Sequence, residues 1–202
     1  MMPWELEHIL RAAGESTGCK SFIVIGSQAI IGSYPKGVDI EALPKELKMS
    51  NEADLIPEKE ELWELVERDL GENSLFAEQF GYHADGVERN TATLPTGWED
   101  RLVPFKTPGT NGVTGLCLEI HDLLVSKLIA GRAKDRAFCW RVVELEMVDE
   151  GLLFERLDRT CDVEQVVIDV AKHLVREYFG SLRQAHELLV LDDEEAQEPG
   201  AE

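Results

Sequence analysis

The chain has 202 residues, of which 44% are hydrophobic, a composition typical of a globular protein with a sizeable core. It carries 40 acidic residues against 20 basic ones, so its net charge is −20. This charge repels phosphate backbones at long range and argues against general DNA or RNA binding. It does not exclude a small nucleotide, because metal ions in a local site can outweigh the overall field.

Cysteine usage and the first residues indicate the compartment. Cys19, Cys117, Cys139 and Cys161 are widely spaced and form no CxxC pair, so a zinc ribbon or a redox motif is not supported. We expect reduced, mostly buried thiols. The start, MMPWELEHIL, lacks the basic region of an export signal, and the longest uncharged run, residues 21–35, is too short to cross a membrane. We therefore expect a cytoplasmic protein without membrane contact.

The first elements are predicted to be a helix, a strand and a second helix. Residues Trp4–Ala13 have apolar side chains at helical spacing, and glycines follow them. The apolar run Phe22–Ile25 predicts a buried strand. Gly26-Ser27 interrupts this run before Ala29–Ile31, where we expect the next helix to begin.

Residues 49–105 predict a strand, a helix and then several short strands. Met49–Ile56 alternate in part and end at Pro57, which suits a strand leaving into the helix EKEELWELVERDL, rich in acids at its start. Between Phe76 and Phe105 the β-prone pieces GYHADGV, TATLP and DRLVPF predict antiparallel strands.

The remaining chain predicts mainly helices. GLCLEI is typical of one more short strand, and the stretch from His121 predicts two helices that break near Gly131. Asp162–Leu189 predicts a long amphipathic helix. Its expected apolar face consists of Val163, Val166, Val167, Val170, Leu174 and Phe179.

Helix and strand alternate only in the first part of the chain, which favours the α+β class over a doubly wound sheet. We expect a small mixed sheet flanked by helices over residues 1–116 and a helical part over residues 117–190. The acidic end, DDEEAQEPGAE, predicts a disordered tail over residues 191–202.

Gly26-Ser27 is the first candidate for chemistry. Glycine allows a ligand to approach the backbone closely, and a helix N-terminus offers free N–H groups that suit a phosphate. Turns of this kind between a strand and a helix are also common without any ligand, so a purely structural turn remains the alternative.

A second candidate is the pair Glu52 and Asp54. Residues two apart in a strand face the same side, so the two carboxylates project together. Mg²⁺ binds carboxylate oxygens together with substrate phosphates, which makes the pair one wall of a possible metal site. The alternative is an exposed acidic strand face.

The third candidate is the helical stretch that carries Lys127. Over two turns, Lys127, Lys134 and Asp135 can roughly align, and a lysine beside a phosphate site would neutralise triphosphate charge. The alternative is a set of solvated charges in which Asp135 pairs locally. For His121 we expect a place at the start of a helix rather than a role as a ligand.

Together these pieces resemble the nucleotidyltransferase fold. More narrowly, GSQAI, SNEADLIP, FGYHADGV, TATLPTGWEDRLV and CLEIHDLLVSKLIAGRAKDRAF are similar to the bacterial DUF6036 family of predicted nucleotidyltransferases. The resemblance spans roughly residues 21–138. The helix with Lys127 is also similar to the AbiEii-type toxin branch of the same superfamily.

The resemblance implies a fold, a reaction and site residues. It implies a nucleotidyltransferase-like α/β core in which Gly26 and Ser27 hold the triphosphate of an NTP and Lys127 contacts the nucleotide. Glu52 and Asp54 would act as catalytic carboxylates that hold Mg²⁺, while NMP passes to an acceptor hydroxyl.

Three departures from the family pattern accompany this assignment. Glu52 stands where an Asp is usual, and the long gap after Ser27 implies an insertion around Tyr34–Leu43. The third departure is that no later strand carries an evident third carboxylate; Asp85 is the best candidate for it.

Glu88 and Asp100 are weaker matches for that third acid.

The main alternative to an enzyme is a relative that has lost catalysis and acts as a binding or regulatory module, for example beside a cognate partner in a toxin–antitoxin pair. An unrelated acidic α+β protein in which the motifs coincide is a further one.

Net charge is the guide to the acceptor. The acidic charge favours a small molecule or a protein as the acceptor. A tRNA end requires that four cations of one segment form a basic patch. They are Lys127, Arg132, Lys134 and Arg136.

Overall fold

The structure is a computed structural model that describes residues 1–34 and 42–197, with side chains to residue 188. Its strands are β1 (Ser21–Ile25), β2 (Glu52–Pro57), β3 (His83–Gly86), β4 (Val103–Phe105) and β5 (Thr114–Cys117). Its α-helices are α1 (Pro3–Thr17), α2 (Trp63–Leu70), α3 (Leu75–Phe80), α4 (Ile120–Ala130), α5 (Ala133–Glu144), α6 (Glu150–Asp158) and α7 (Gln165–Gln197). The insertion predicted around Tyr34–Leu43 falls mostly outside the described residues.

The five strands form one mixed sheet in the order β3-β2-β1-β5-β4. Strand β1 is antiparallel to β2 and parallel to β5, while β3 is parallel to β2 and β4 is antiparallel to β5. Because β1 has neighbours on both edges and buried residues on both faces, it is an almost continuous apolar run rather than an alternating one. The α+β class predicted from the sequence is confirmed.

The prediction of three antiparallel strands between Phe76 and Phe105 was wrong in two respects. The GYHADGV piece provides β3, but β3 pairs parallel to β2. The TATLP piece forms no strand within the described residues. Thr96, which follows it, donates from its backbone N–H and its hydroxyl to the carbonyl oxygen of Arg159, so the loop after α6 holds this segment instead of a β-ladder.

Helix α1 confirms the first predicted element and packs on the sheet. It buries Leu6, Ile9, Leu10 and Ala13. Ile9 and Leu10 each lie three or four residues from both Leu6 and Ala13, so all four share one face of the helix. It ends at Gly18, whose φ of 73° lies in the left-handed region that glycine adopts without cost.

The predicted break near Gly131 is confirmed. Gly131 has a φ of 65° and its N–H bonds to the carbonyl of Lys127, which ends α4. The next helix, α5, then turns back so that its first turn lies beside α4. This reversal brings residues of the two helices together across the break.

The apolar face predicted for α7 was partly wrong. Ile168, Ala171 and Val175 are buried, whereas Val166 is 60% exposed and Val170 is 49% exposed. Two residues correspond to about 200° of rotation, so a face that buries Ile168 turns Val166 and Val170 to the other side.

The predicted tail is only partly described. Helix α7 continues to Gln197, past residue 191, and residues 198–202 lie outside the described residues. The division into parts at residues 116 and 190 stays a prediction. Across the described ranges, no helix combines the length and apolar character needed to cross a membrane.

The four cysteines are free thiols, and three of them are buried. Cys161 is the exposed one. Burial raises the pKa of Cys117 and of Cys139 to about 12, so both stay protonated and behave as small apolar side chains.

Candidate active site

The turn after β1 is built around the lack of a side chain at Gly26. Gly26 has a φ of 67° and a ψ of −164°, and a Cβ added there would lie 1.9 Å from Asp54 Oδ2. Glycine therefore meets two requirements at once: a backbone conformation that other residues avoid and direct contact with the Asp54 carboxylate. The turn and the carboxylate form one unit.

The helix expected after Ser27 is a seven-residue 3₁₀ helix, Ser27–Ser33, rather than an α-helix. Its first turn is closed by the Ala29 N–H, which bonds to the Gly26 carbonyl. A 3₁₀ helix of this length has only a small helix dipole, so it attracts a phosphate less strongly than the N-terminus of an α-helix would. The polar groups at this end are instead the Ser27 hydroxyl and the Lys127 ammonium.

Lys127 reaches the turn from α4. Its side chain is buried, and its Nζ donates to Ser27 Oγ and to Asp135 Oδ1, both at 3.0 Å. Nζ also lies 4.5 Å from the centre of the Phe138 ring. The ion pair with Asp135 crosses the break between α4 and α5, so the reversal of the chain at Gly131, rather than spacing along a helix, brings Lys127 and Asp135 together.

Strand pairing gathers four polar side chains on one face of the sheet. In the parallel pair of β2 and β3, Glu52 lies opposite His83 and Asp54 opposite Asp85. The residues between them, Ala53 and Ala84, are fully buried on the other face. Asp85, the preferred candidate for the third acid, is therefore the direct neighbour of Asp54.

The two weaker candidates for the third acid lie elsewhere. Glu88 precedes the 3₁₀ helix Arg89–Thr91, and Asp100 belongs to the 3₁₀ helix Trp98–Arg101. Both side chains belong to exposed residues.

The carboxylates repel one another. Burial raises the pKa of Asp54 to about 6, with Glu52 and Asp85 acting in the same direction and Lys127 acting against them. Burial also raises the pKa of Asp85, which His83 partly counteracts. A divalent cation between such groups would offset both the repulsion and the desolvation, and oxygen ligands of this kind are those that Mg²⁺ binds. The donor set thus fits the predicted metal.

His83 was not identified from the sequence as a site residue. Its ring nitrogen, a carboxylate oxygen of Glu52 and one of Asp85 all lie within 4.8 Å of one another. The available signal was its position two residues before Asp85 in a β-prone segment, which places both side chains on one face.

The Gly26-Ser27 turn, Glu52, Asp54 and Lys127 border a cavity of about 530 Å³, whereas His83 and Asp85 are not among its lining residues. The polar residues among its walls are Ser27, Glu52, Asp54, Thr91, Thr93, Ser126, Lys127, Arg132, Lys134 and Asp135. Thr91 and Thr93 come from the TATLP segment and were not predicted as site residues.

A neighbouring cavity of about 410 Å³ shares a wall with the first. Ser27, Glu52 and Lys127 line both. Met49 and Phe138 line the second cavity but not the first.

Three of the four cations that a tRNA end would need line one cavity. Lys127 is buried, while Arg132 and Lys134 are exposed and line the larger cavity. Lys134 Nζ lies 4.0 Å from Glu52 Oε1. Arg136 lies on α5, where its carbonyl accepts a hydrogen bond from the Tyr178 hydroxyl.

His121 is the second residue of α4, as expected of a residue at a helix start. Its Nδ1 lies 2.6 Å from Glu119 Oε1, and its Nε2 accepts a hydrogen bond from the Asp149 N–H. The ring thus connects the N-terminal ends of α4 and α6.

A family model described as "Nucleotidyltransferase of unknown function (DUF6036)" matches residues 5–180. The chain belongs to the DUF6036 family. No curated protein and no solved structure matches it. The match includes α1, α6 and much of α7, so the DUF6036 unit extends on both sides of the segment 21–138 on which the resemblance rested. The family and fold predicted from the sequence are confirmed.

Proposed function

We propose that this DUF6036 protein is an Mg²⁺-dependent nucleotidyltransferase that moves NMP from an NTP to an acceptor hydroxyl. One observation carries the proposal. The Gly26-Ser27 turn, Lys127 and the carboxylates of Glu52 and Asp54 border a single cavity of about 530 Å³. That volume lies within the range of small-molecule and cofactor sites.

The groups proposed to bind the cation and the phosphates contact the same turn, Asp54 at Gly26 and Lys127 at Ser27. Ser27 Oγ and Lys127 Nζ, 3.0 Å apart, offer a hydroxyl and an ammonium to the phosphates of an NTP. Gly26 leaves the backbone accessible beside Asp54. Glu52 and Asp54 would hold Mg²⁺, which when bound would polarise the α-phosphate.

The reaction itself requires positioning more than covalent chemistry from the protein. The acceptor oxygen forms a bond to the α-phosphorus, the bond from that phosphorus to the bridging oxygen breaks, and pyrophosphate and a proton leave. The role of the chain is to orient the triphosphate between Lys127 and the carboxylates and to bring the acceptor to the opposite side.

The second cavity is the best candidate for the acceptor. It has about 410 Å³, and the wall that it shares with the first cavity, which includes Ser27, Glu52 and Lys127, would separate the acceptor from the nucleotide. Its size and the net charge of −20 favour a small molecule or a protein side chain. A tRNA end fits less well, because Lys127 is buried and paired with Asp135 and because Lys134 lies near Glu52.

One observation favours a second candidate, a relative that binds nucleotides or a cognate protein without transfer. Lys127 is already paired with the buried carboxylate of Asp135, which also accepts a hydrogen bond from Arg132. A lysine engaged in this way has less charge to offer a phosphate. In that case the protein would act as a regulatory or toxin–antitoxin component.

Calorimetric titration with Mg²⁺ and each NTP tests the proposed site. We expect wild-type protein to bind at least one NTP only when Mg²⁺ is present, and Asp54→Asn to lose that binding. Asp100→Asn removes a carboxylate from an exposed turn and serves as the matched control. Equal affinity of wild type and Asp54→Asn would contradict the assignment of Asp54.

A further inference from the structure

His83 faces two carboxylates without being tied to them by a short hydrogen bond. Its Nε2 lies 3.5 Å from Asp85 Oδ1, longer than the usual N–H···O distance of about 2.9 Å. Glu52 lies directly opposite it in the neighbouring strand. One ligand atom from each of the three residues falls within 4.8 Å of the others. The three atoms surround a space that an ion could occupy.

We propose that Glu52, His83 and Asp85 form a second cation site, next to the proposed Mg²⁺ site, that selects a divalent transition ion over Mg²⁺. Mg²⁺ requires hard oxygen ligands, whereas an imidazole nitrogen suits first-row transition ions. This set contains two carboxylates and one imidazole. Glu52 belongs to both sites, and Asp54 belongs only to the proposed Mg²⁺ site.

The ligands are positioned by the sheet rather than by flexible loops. Glu52 begins β2 and His83 begins β3, and the ladder between the two strands fixes the register. His83 N–H donates to the Asn51 carbonyl, which anchors the start of β3 to the residue before Glu52. Ligands held in this way lose little conformational freedom when an ion binds.

An ion can reach the site from solvent and keep water ligands there. His83 lines an open cavity of about 350 Å³ bordered by Asn51, Glu72 and Ser74. It also lines the cavity of about 410 Å³ on the other side, together with Glu52. The carboxylates of Glu67 and Glu72 repel the negative charge of Asp85, and they add to the negative field around the ion.

The competing explanation is a simple ion pair between a protonated His83 and Asp85. In that case the imidazole would carry a proton on the nitrogen that faces Asp85, and it would have no lone pair for a metal. The two explanations differ in whether a nitrogen atom ever becomes bonded to the ion. That difference can be measured without any variant.

Mn²⁺ and the nucleotide-free wild-type chain provide the test. We expect electron paramagnetic resonance to show bound Mn²⁺ that persists in a tenfold excess of Mg²⁺, and pulsed measurements to show coupling to a directly bonded ¹⁴N nucleus. Bound Mn²⁺ without that coupling would overturn the proposal, as would loss of all bound Mn²⁺ in excess Mg²⁺. Either result would leave His83 as the ion-pair partner of Asp85.

Substitution of His83 tests whether its ring supplies the nitrogen that couples to Mn²⁺. His83→Gln should abolish the ¹⁴N coupling and weaken Mn²⁺ binding about tenfold or more. His173→Gln is the matched control, because His173 also faces a carboxylate, that of Glu177 at 3.4 Å, on the exposed side of α7. Unchanged coupling in His83→Gln would contradict the proposal, and the wild-type spectrum decides the question if that variant does not fold.

The test separates this site from the proposed nucleotidyltransferase activity, since it uses no nucleotide. Asp54→Asn should lose Mg²⁺-dependent NTP binding and keep the ¹⁴N-coupled Mn²⁺ signal. Loss of both in Asp54→Asn would contradict two separate sites. Wild-type NTP binding without the ¹⁴N signal would refute the second site alone.

Discussion

Lys127 donates a hydrogen bond of 3.0 Å to the hydroxyl of Ser27, which lies 100 residues earlier in the chain. This contact joins α4 to the turn after the central strand. Asp135, from the start of α5, holds the same ammonium group from the other side. The turn, the lysine and the cavity between them therefore depend on the packing of α4 against the 3₁₀ helix after β1 and of α5 against α4.

Removing the Lys127 ammonium should weaken nucleotide binding. Lys127→Met keeps the length of the side chain but removes the charge, and we expect NTP affinity to fall about tenfold or more, as for the loss of a charge-assisted hydrogen bond. Calorimetric titration with Mg²⁺ and NTP gives the affinity. Lys106→Met, at an exposed position after β4, is the control. Identical affinity of Lys127→Met and wild type would place the nucleotide elsewhere.

Gly26→Ala should disrupt the site through a side-chain collision in addition to backbone strain. The added Cβ would collide with Asp54 Oδ2 and displace the carboxylate. Gly18→Ala is a matched control, because Gly18 has a φ of 73° and open space around its Cβ position. Thermal unfolding and NTP titration of the two variants separate strain from collision. Only Gly26→Ala should lose NTP binding; retention of binding there would argue against the close contact.

The raised pKa of Asp54 predicts that its charge destabilises the metal-free fold. The folded pKa of about 6 lies above the ordinary value of 3.8, so the native state binds more protons between these pH values. Stability from this group therefore falls as the pH rises from about 4 to about 6, and the cost is fully present above that range. Asp54→Asn should raise the melting temperature at pH 7.5 in EDTA.

The same variant should gain little at pH 4, where both proteins carry a neutral group at this position. The control Asp100→Asn, at an exposed turn, should give no comparable difference between the two pH values. A gain for Asp54→Asn that is equal at pH 4 and pH 7.5 would show that packing, rather than charge, is responsible.

Asp122 should contribute strongly to stability. It is fully buried at the start of α4 and accepts hydrogen bonds from Arg101 Nε at 2.8 Å and from a second nitrogen of the same guanidinium at 3.0 Å. Arg156 Nε of α6 lies 3.6 Å away. Asp122→Ala leaves two largely buried cations without this partner and should cost about 3 kcal/mol.

Urea unfolding measures that cost. Asp100→Ala, one residue before Arg101 and exposed, should change the free energy of unfolding by less than about 0.5 kcal/mol. An effect of similar size in both variants would argue against the buried network as the cause.

Local signals in the sequence were sufficient to predict the first part of the candidate site. The apolar run of β1, the interruption at Gly26-Ser27 and the two-residue spacing of Glu52 and Asp54 are properties of short segments. Each follows from backbone periodicity and glycine conformation. In the structure Gly26, Ser27, Glu52 and Asp54 line one cavity, as we expect of residues that belong to one site.

The rest depends on long-range pairing that local patterns do not encode. Whether β3 pairs parallel or antiparallel to β2 decides whether Asp85 or another residue lies beside Asp54, and the segment itself is compatible with both. The position of His83 opposite Glu52 follows from the same register. Similarly, Asp135 reaches Lys127 only because α5 turns back at Gly131.

Transfer of a labelled nucleotide tests the central claim most directly. Wild-type protein is incubated with each α-³²P-labelled NTP, Mg²⁺ and an extract that supplies candidate acceptors, and the products are compared with those of Asp54→Asn and Asp100→Asn. The account predicts a new labelled product, with release of pyrophosphate, in wild type and Asp100→Asn and its absence in Asp54→Asn. The same products from wild type and Asp54→Asn, or no labelled product from wild type with any NTP, would contradict it.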